Sequence, residues 1–425
     1  MRVRAKILAA GTILATVTLA TAATSQTTGG VSQAESGLDI TNTQLQLGDV
    51  LSQQKLNVVD NYDVLKVETS AHGNGMAGGN EKVDATLTSQ QALHGNVTSN
   101  TEVNGTAAPE DYRNSLGTPL YIAGQAVGNY GAFTTKDGKL VSNTTQTAEA
   151  VNVHADVQVN SPNNSIYDSG EINTVSVTNH QAYEVTNGRL ESTAVQTSSA
   201  ESRARTGVVL HYSPSPNLYT ASAMNNYYAS NSTDRGSQEH GVVQRSSGGT
   251  ESYVSANAGN AWNMATQSDA AANTVSLYNT GGSLYSGTSQ ENTGEVKSTS
   301  VLTGYEYGEM HSTASGVGNN LMVGNGDKSL TIDADQFNSG PIDVVASYEG
   351  HAGYDAYVTA EATGNSAYGY ACADCEADMN VRNNQVNSAD VTASTNVNIT
   401  GSGRAIVSTA RAIGNTATYY VSGSK

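Results

Sequence analysis

Six prolines, two phenylalanines, one tryptophan and two cysteines are all that the 425 residues contain of those types. As an ordinary globule the length suggests two or three domains. Large apolar side chains are nevertheless too sparse for several thick cores. Basic residues are also few, 20 Lys and Arg against 38 Asp and Glu. That balance argues against nucleic acid and anionic lipid as partners. It suits a soluble extracytoplasmic surface or a cationic partner. Neither a G-x-x-x-x-G-K-[ST] loop nor a G-x-S-x-G elbow occurs. The histidines at 72, 94, 154, 180, 211, 240, 311 and 351 form no H-x-x-x-H or H-E-x-x-H pair. With no catalytic, metal or cofactor constellation to assign, the chain reads as non-enzymatic.

What fills the chain instead is Gly (43), Tyr (22), Ser, Thr, Asn and Ala. Low hydrophobicity and high net charge also describe disordered chains, but the periodicity below argues for a thin, repetitive core. The start reads as an export signal over residues 1–22. Arg2, Arg4 and Lys6 precede a short apolar run from Ile7 to Leu19, and Ala20-Thr21-Ala22 is an A-x-A cleavage pattern. Cleavage there leaves 38 acidic and 17 basic residues, a net charge of −21 with His neutral. No later segment is apolar enough to span a bilayer.

A phrase of small residues recurs. EATGNSAYGY (361–370) returns as RAIGNTATYY (411–420), and AVGNYGAF (126–133) and GVGNNLM (316–322) are variants. With looser members, asparagines fall at 80, 129, 179, 226, 273, 319, 365 and 415. This period of 46–50 residues indicates a solenoid, propeller or array. Asn129, Asn319, Asn365 and Asn415 belong to the tight phrases and are the candidate repeat corners. The Gly-Asn ending at Asn260 is equally tight and breaks the register. Between phrases, VNVHADVQVN (151–160) alternates strictly, which marks a half-buried strand.

The predicted fold is all-β, a repetitive β-solenoid or β-helix rod with Gly-Asn corners. Scarce aromatics disfavour a propeller. Gly with φ > 0 and Asn in the left-handed region are expected to make the corners, and stacked Asn amides a ladder along the axis. Each period is read as two coils of about 24 residues, giving about 16 coils and a rod ~75 Å long. Residues 23–37 read as a flexible lead-in, 38–70 as an N-terminal cap and 71–425 as the repeats. The C-terminal end reads as either a docking edge or a frayed end.

Three features offer candidate chemistry. Cys372 and Cys375 form a C-x-x-C, read as a local disulfide in an exported chain, with a redox, metal or interchain role as the alternatives. Asp374, Glu376 and Asp378 alternate, so on a strand they share a face, either solvated or open to a cation or sugar. Tyr227, Tyr228, Tyr354, Tyr357, Tyr419 and Tyr420 stand in tyrosine clusters. Such rings either pack in ladders along the rod or stack on sugar rings.

The A-x-G-N-x-A phrases, the C-x-x-C beside one of them, the acidic charge and the export signal together resemble the holdfast-anchor protein D (HfaD) family of stalked alphaproteobacteria. The resemblance covers most of the chain after the leader and brings no catalytic residues. It implies a surface protein associated with the outer membrane, working with a curli-like subunit and an outer-membrane pore lipoprotein. Together they would tether an extracellular adhesive polysaccharide, the holdfast, to the cell pole. A general secreted β-solenoid adhesin or filament component, and a β-helix enzyme acting on polysaccharide, are the alternatives.

Overall fold

A computed structural model describes residues 37–110, 113–373 and 378–423. The export signal and nearly all of the lead-in lie outside the described residues. Almost everything described is strand, no helix occurs among the described residues, and every strand pairs in parallel with its counterpart one repeat away. The fold is a β-solenoid.

Each coil has three walls. Wall A is built by Gly37–Gln46, Asp84–Leu93, Lys139–Ala148, Arg189–Ser198, Gly236–Ser246, Gly281–Asn292, Leu330–Asn338 and Met379–Asn387, stacked in that order. Wall B begins with Val50–Val58, Val97–Gly105, Asn152–Ser165 and Glu201–Ser213. Wall C begins with Leu65–Glu81, Leu120–Lys136, Gly170–Thr186 and Asn217–Thr233. In the next three coils walls B and C fuse into the long strands Thr250–Asn279, Val296–Asn325 and Ile342–Ala373. The eighth coil separates them again as Val391–Ile399 and Ala405–Gly423.

The register corrects the expected coil length. Asn129 pairs with Asn179, Asn226 with Asn273 and Asn365 with Asn415. One period is therefore one coil, not two. Eight coils at ~4.8 Å each make a stack ~38 Å tall, about half the length expected from the sequence. Residues 38–66 supply walls A and B of the first coil and the start of its wall C.

Wall C is bent. Along Leu120–Lys136 the buried side chains are the even-numbered ones up to Ala126, and odd-numbered ones such as Phe133 and Thr135 after Asn129. The phase of the alternation switches at the bend, because side chains must keep pointing inward on both arms. The arm before the bend packs on wall B and encloses Val157, Val159, Ile172, Tyr219 and Tyr348. The arm after it packs on wall A around Phe133, Leu140, Tyr183, Tyr228 and Leu330. The alternating stretch at 151–160 is wall B, with Val153, Ala155, Val157 and Val159 buried.

The Gly-Asn phrase occupies this bend, but for a different reason than expected. No asparagine of the series has positive φ. The left-handed residues are Lys82, Asp137, Asn187, Asp234, Arg235 and Gly281, all at the turn from wall C to wall A, and Ala150 between walls A and B. The glycine in the phrase serves close approach: a Cβ on Gly364 would lie 2.3 Å from the carbonyl oxygen of Gly414 in the next coil. Asn260, the phrase out of register, lies where wall B turns into wall C, paired with Tyr212 and Glu306. The same small-residue vocabulary thus serves two different bends.

Candidate functional surfaces

Two amide ladders run through the stack. Asn74, Asn129, Asn179, Asn226, Asn273, Asn319, Asn365 and Asn415 are linked in sequence, each Nδ2 donating to the Oδ1 of the next at 2.7–2.8 Å. The first member is Asn74, not Asn80. Asn80 instead donates to the Val83 carbonyl at the following turn, at 2.5 Å. The second hydrogen of Nδ2 goes across the interior to wall A, for instance from Asn129 to the Thr147 carbonyl and from Asn273 to that of Glu291.

Sequence reasoning missed the second ladder. Gln44, Gln91, Gln146, Gln196, Gln244, Gln290, Gln336 and Gln385 stack on wall A with Nε2···Oε1 distances of 2.7–2.8 Å. From Gln91 onward each Nε2 also reaches across to a wall C carbonyl, as Gln244 does to Thr274 at 2.9 Å. The glutamines donate toward the N-terminal end and the asparagines toward the C-terminal end, so the two rows of amide dipoles oppose each other. Buried polar groups of this kind are favourable only when fully paired, and these pair both along and across the stack.

The structure separates the six candidate tyrosines. Tyr228 is fully buried; its hydroxyl lies 2.8 Å from His240 Nδ1 and 2.9 Å from Ser192 Oγ. It therefore has no face for a sugar, which corrects that expectation. Its neighbour Tyr227 points the other way and stacks on His180, itself stacked on Tyr130, at 5.1 Å each. Tyr357 is half-buried and stacks on His311 at 4.8 Å. Tyr419 packs against the wall A core in the last coil. Tyr420 is exposed and stacks on Tyr370 at 6.0 Å. Tyr354 is exposed, with the Arg404 guanidinium 5.3 Å above its ring and Trp262 against its edge at 5.8 Å. The six do not converge on one site.

No cluster of three or more His, Cys, Asp or Glu side chains that could ligate a metal occurs among the described residues. Burial pushes His240 down to about 3 and His180 down to about 4. His240 Nε2 lies 2.9 Å from Gln238 Oε1, which only accepts, so the proton sits on Nε2. Asp269, on the outer side of wall C, is pushed up to about 6 by desolvation despite a 2.7 Å bond from Gln267 Nε2. Cys372 is half-buried in register with Ser422. Cys375, Asp374 and Glu376 lie outside the described residues, and Asp378 is exposed. No helix among the described residues is long and apolar enough to cross a membrane.

A parallel β-solenoid with two buried amide ladders and stacked outer aromatics is the kind of protein that offers long, stiff walls rather than a pocket. The family follows from comparison with known proteins. The model of the holdfast attachment protein D (HfaD) family matches residues 59–341 and 352–425, and the chain belongs to that family. Membership implies involvement in attachment of the holdfast. No curated protein and no solved structure matches the chain.

Proposed function

We propose that this protein is a non-enzymatic link, placed under tension, that helps anchor the adhesive holdfast polysaccharide to the outer membrane at the cell pole. The observation that carries the reading is the pair of amide ladders, each continuous through eight coils. An anchor under shear must resist separation of its parts. Here every coil is tied to the next by parallel backbone pairing and by two buried amide links, so tension along the axis is shared over many hydrogen bonds at once. Family membership supplies the biological setting.

In this reading the chain is exported to the cell surface and held there by partners, a curli-like subunit and an outer-membrane pore lipoprotein. The acidic surface, −18 over the whole sequence, favours a polysaccharide bearing free amines, by an attraction that weakens as salt rises. Deleting the gene and staining cells and spent medium with lectin tests the anchor. Adhesive polysaccharide shed into the medium, with loss of surface adhesion, is expected. Polysaccharide retained on cells that still adhere would overturn the reading.

A further inference from the structure

Exposed rings recur where wall B turns into wall C, at Tyr62, Tyr167 and Tyr212 in the first, third and fourth coils, and they gather in the three coils that follow. In the fifth, sixth and seventh coils wall B runs into wall C through a short bend, at 259–263, 305–309 and 351–355. In the first four coils the strand is interrupted there, between Val58 and Leu65, Gly105 and Leu120, Ser165 and Gly170, and Ser213 and Asn217. The three bends carry exposed rings. Trp262, the single tryptophan of the chain, is 54% exposed, Tyr305 58% and Tyr354 47%. Apolar rings of this size are ordinarily placed inside. Here a glycine helps present them. Gly308 lies between Trp262 and Tyr354 in the column, and a Cβ on it would fall 3.0 Å from the Trp262 ring and 2.1 Å from its carbonyl oxygen. The missing side chain lets two rings from alternate coils meet at 5.8 Å. Three residues earlier on the same bends, Tyr305 and His351 stack at 4.8 Å and 11°.

Carboxylates outnumber cations around these rings. Glu306 and Glu309 are exposed on the bend of the sixth coil, and Glu309 lies 2.8 Å from His311 Nε2. The cation over Tyr354, Arg404, is taken by Asp355, with Nε donating to Oδ1 at 2.8 Å and Nη2 to Oδ2. Flat π-faces stack on the C–H faces of pyranose rings, and carboxylates beside them accept from hydroxyls and ammonium groups. The coil spacing of ~4.8 Å is close to the rise of one sugar in an extended chain, so successive coils can meet successive sugars.

We propose that this aromatic platform, Trp262, Tyr305, His351 and Tyr354 with Glu306 and Glu309, is the binding face for a polymer of amine-bearing pyranose sugars. The proposal rests on the attachment reading above and adds where on the rod the polysaccharide is held and by what chemistry. It assigns ligand contact to the fifth, sixth and seventh coils.

Because Trp262 is the only tryptophan, its emission reports on this site alone. The full chain is titrated with a glucosamine hexamer, an N-acetylglucosamine hexamer and cellohexaose, at low and at 0.5 M salt. Saturable change of Trp262 emission is expected, strongest with the glucosamine hexamer and weakened by salt. Tyr305→Ala and Tyr354→Ala each weaken it about tenfold, the loss of one stacked ring. Tyr121→Ala, an exposed ring in the second coil, leaves it unchanged, and circular dichroism checks that each variant is folded. Flat emission with all three sugars overturns the platform. Equal, salt-independent response to cellohexaose overturns the amine requirement. Cells carrying Trp262→Ala with Tyr305→Ala separate the two failures. If they keep their polysaccharide while the gene deletion loses it, the platform is wrong and the anchor stands. If the deletion itself loses nothing, the anchor is wrong whatever the fluorescence shows.

Discussion

Asn273 holds three hydrogen-bond partners in place with one side chain. Its Oδ1 accepts from Asn226, and its Nδ2 donates to Asn319 and to the Glu291 carbonyl; its own backbone continues the sheet. Asn273→Ala strands three buried groups at roughly 1–3 kcal/mol each before relaxation. A loss of at least about 3 kcal/mol is expected in urea denaturation; a loss under 1 kcal/mol would mean the ladder contributes little. At His180 the relevant quantity is protonation. An unfolded imidazole titrates near 6.5, whereas burial pushes the folded one down to about 4. Between those values the unfolded chain holds a proton that the folded chain lacks, so stability falls as pH drops from about 6.5 toward 4. Asp269, pushed up to about 6, acts in the opposite sense, because there the folded chain keeps the extra proton below 6. The difference between wild type and His180→Phe isolates the imidazole, and phenylalanine keeps the stack with Tyr130 and Tyr227. The variant is expected to gain about 1–2 kcal/mol relative to wild type at pH 5 compared with pH 8. An unchanged difference across that range would show that His180 is solvated.

At the scale of the element, the bend in wall C decides which substitutions the strand tolerates. A Cβ at Gly364 meets the Gly414 carbonyl at 2.3 Å, whereas one at Gly75, the residue just past the bend in the first coil, meets nothing within 4 Å. Gly364→Ala should therefore destabilise by roughly 1–3 kcal/mol, and Gly75→Ala should stay within about 0.5 kcal/mol of wild type. Thermal melts of the two variants check this, and equal melting points would remove the close-approach argument. The bend also explains which element features were readable beforehand. Strict alternation at 151–160 marked wall B, which is straight. In wall C the alternation changes phase at the bend, so inward and outward positions cannot be assigned by counting from one end. That is why Tyr227 and Tyr228, adjacent in sequence, could not be told apart: one is half-buried in a stack on His180, the other fully buried against His240. The glutamine ladder was present in the sequence as eight residues at the coil period. It was hidden because long polar side chains on an alternating strand ordinarily signal solvent, and only the facing wall turns them inward.

For the whole molecule, each coil touches mainly the coils before and after it, so stability is close to a sum of repeat and nearest-neighbour terms. Removing residues 273–318, one complete period from Asn273 to the residue before Asn319, should leave a folded seven-coil protein in which Asn226 bonds directly to Asn319. Its length by small-angle scattering should shrink by one coil, ~4.8 Å. A chain that loses its β signal would show that the coils are not interchangeable. The sequence alone determined the solenoid class, the repeat and the family, because these depend on composition and on a period that any single chain displays. Only the tertiary structure decided that one period is one coil, that the ladder starts at Asn74, that glutamines form a second one, and that Trp262 and Tyr354 meet across Gly308. Each of those is a contact between residues 46 or more positions apart in the chain, or two coils apart in the stack. Such contacts are set by where the wall bends and by the length of each connection, and neither is written in the local pattern of residues.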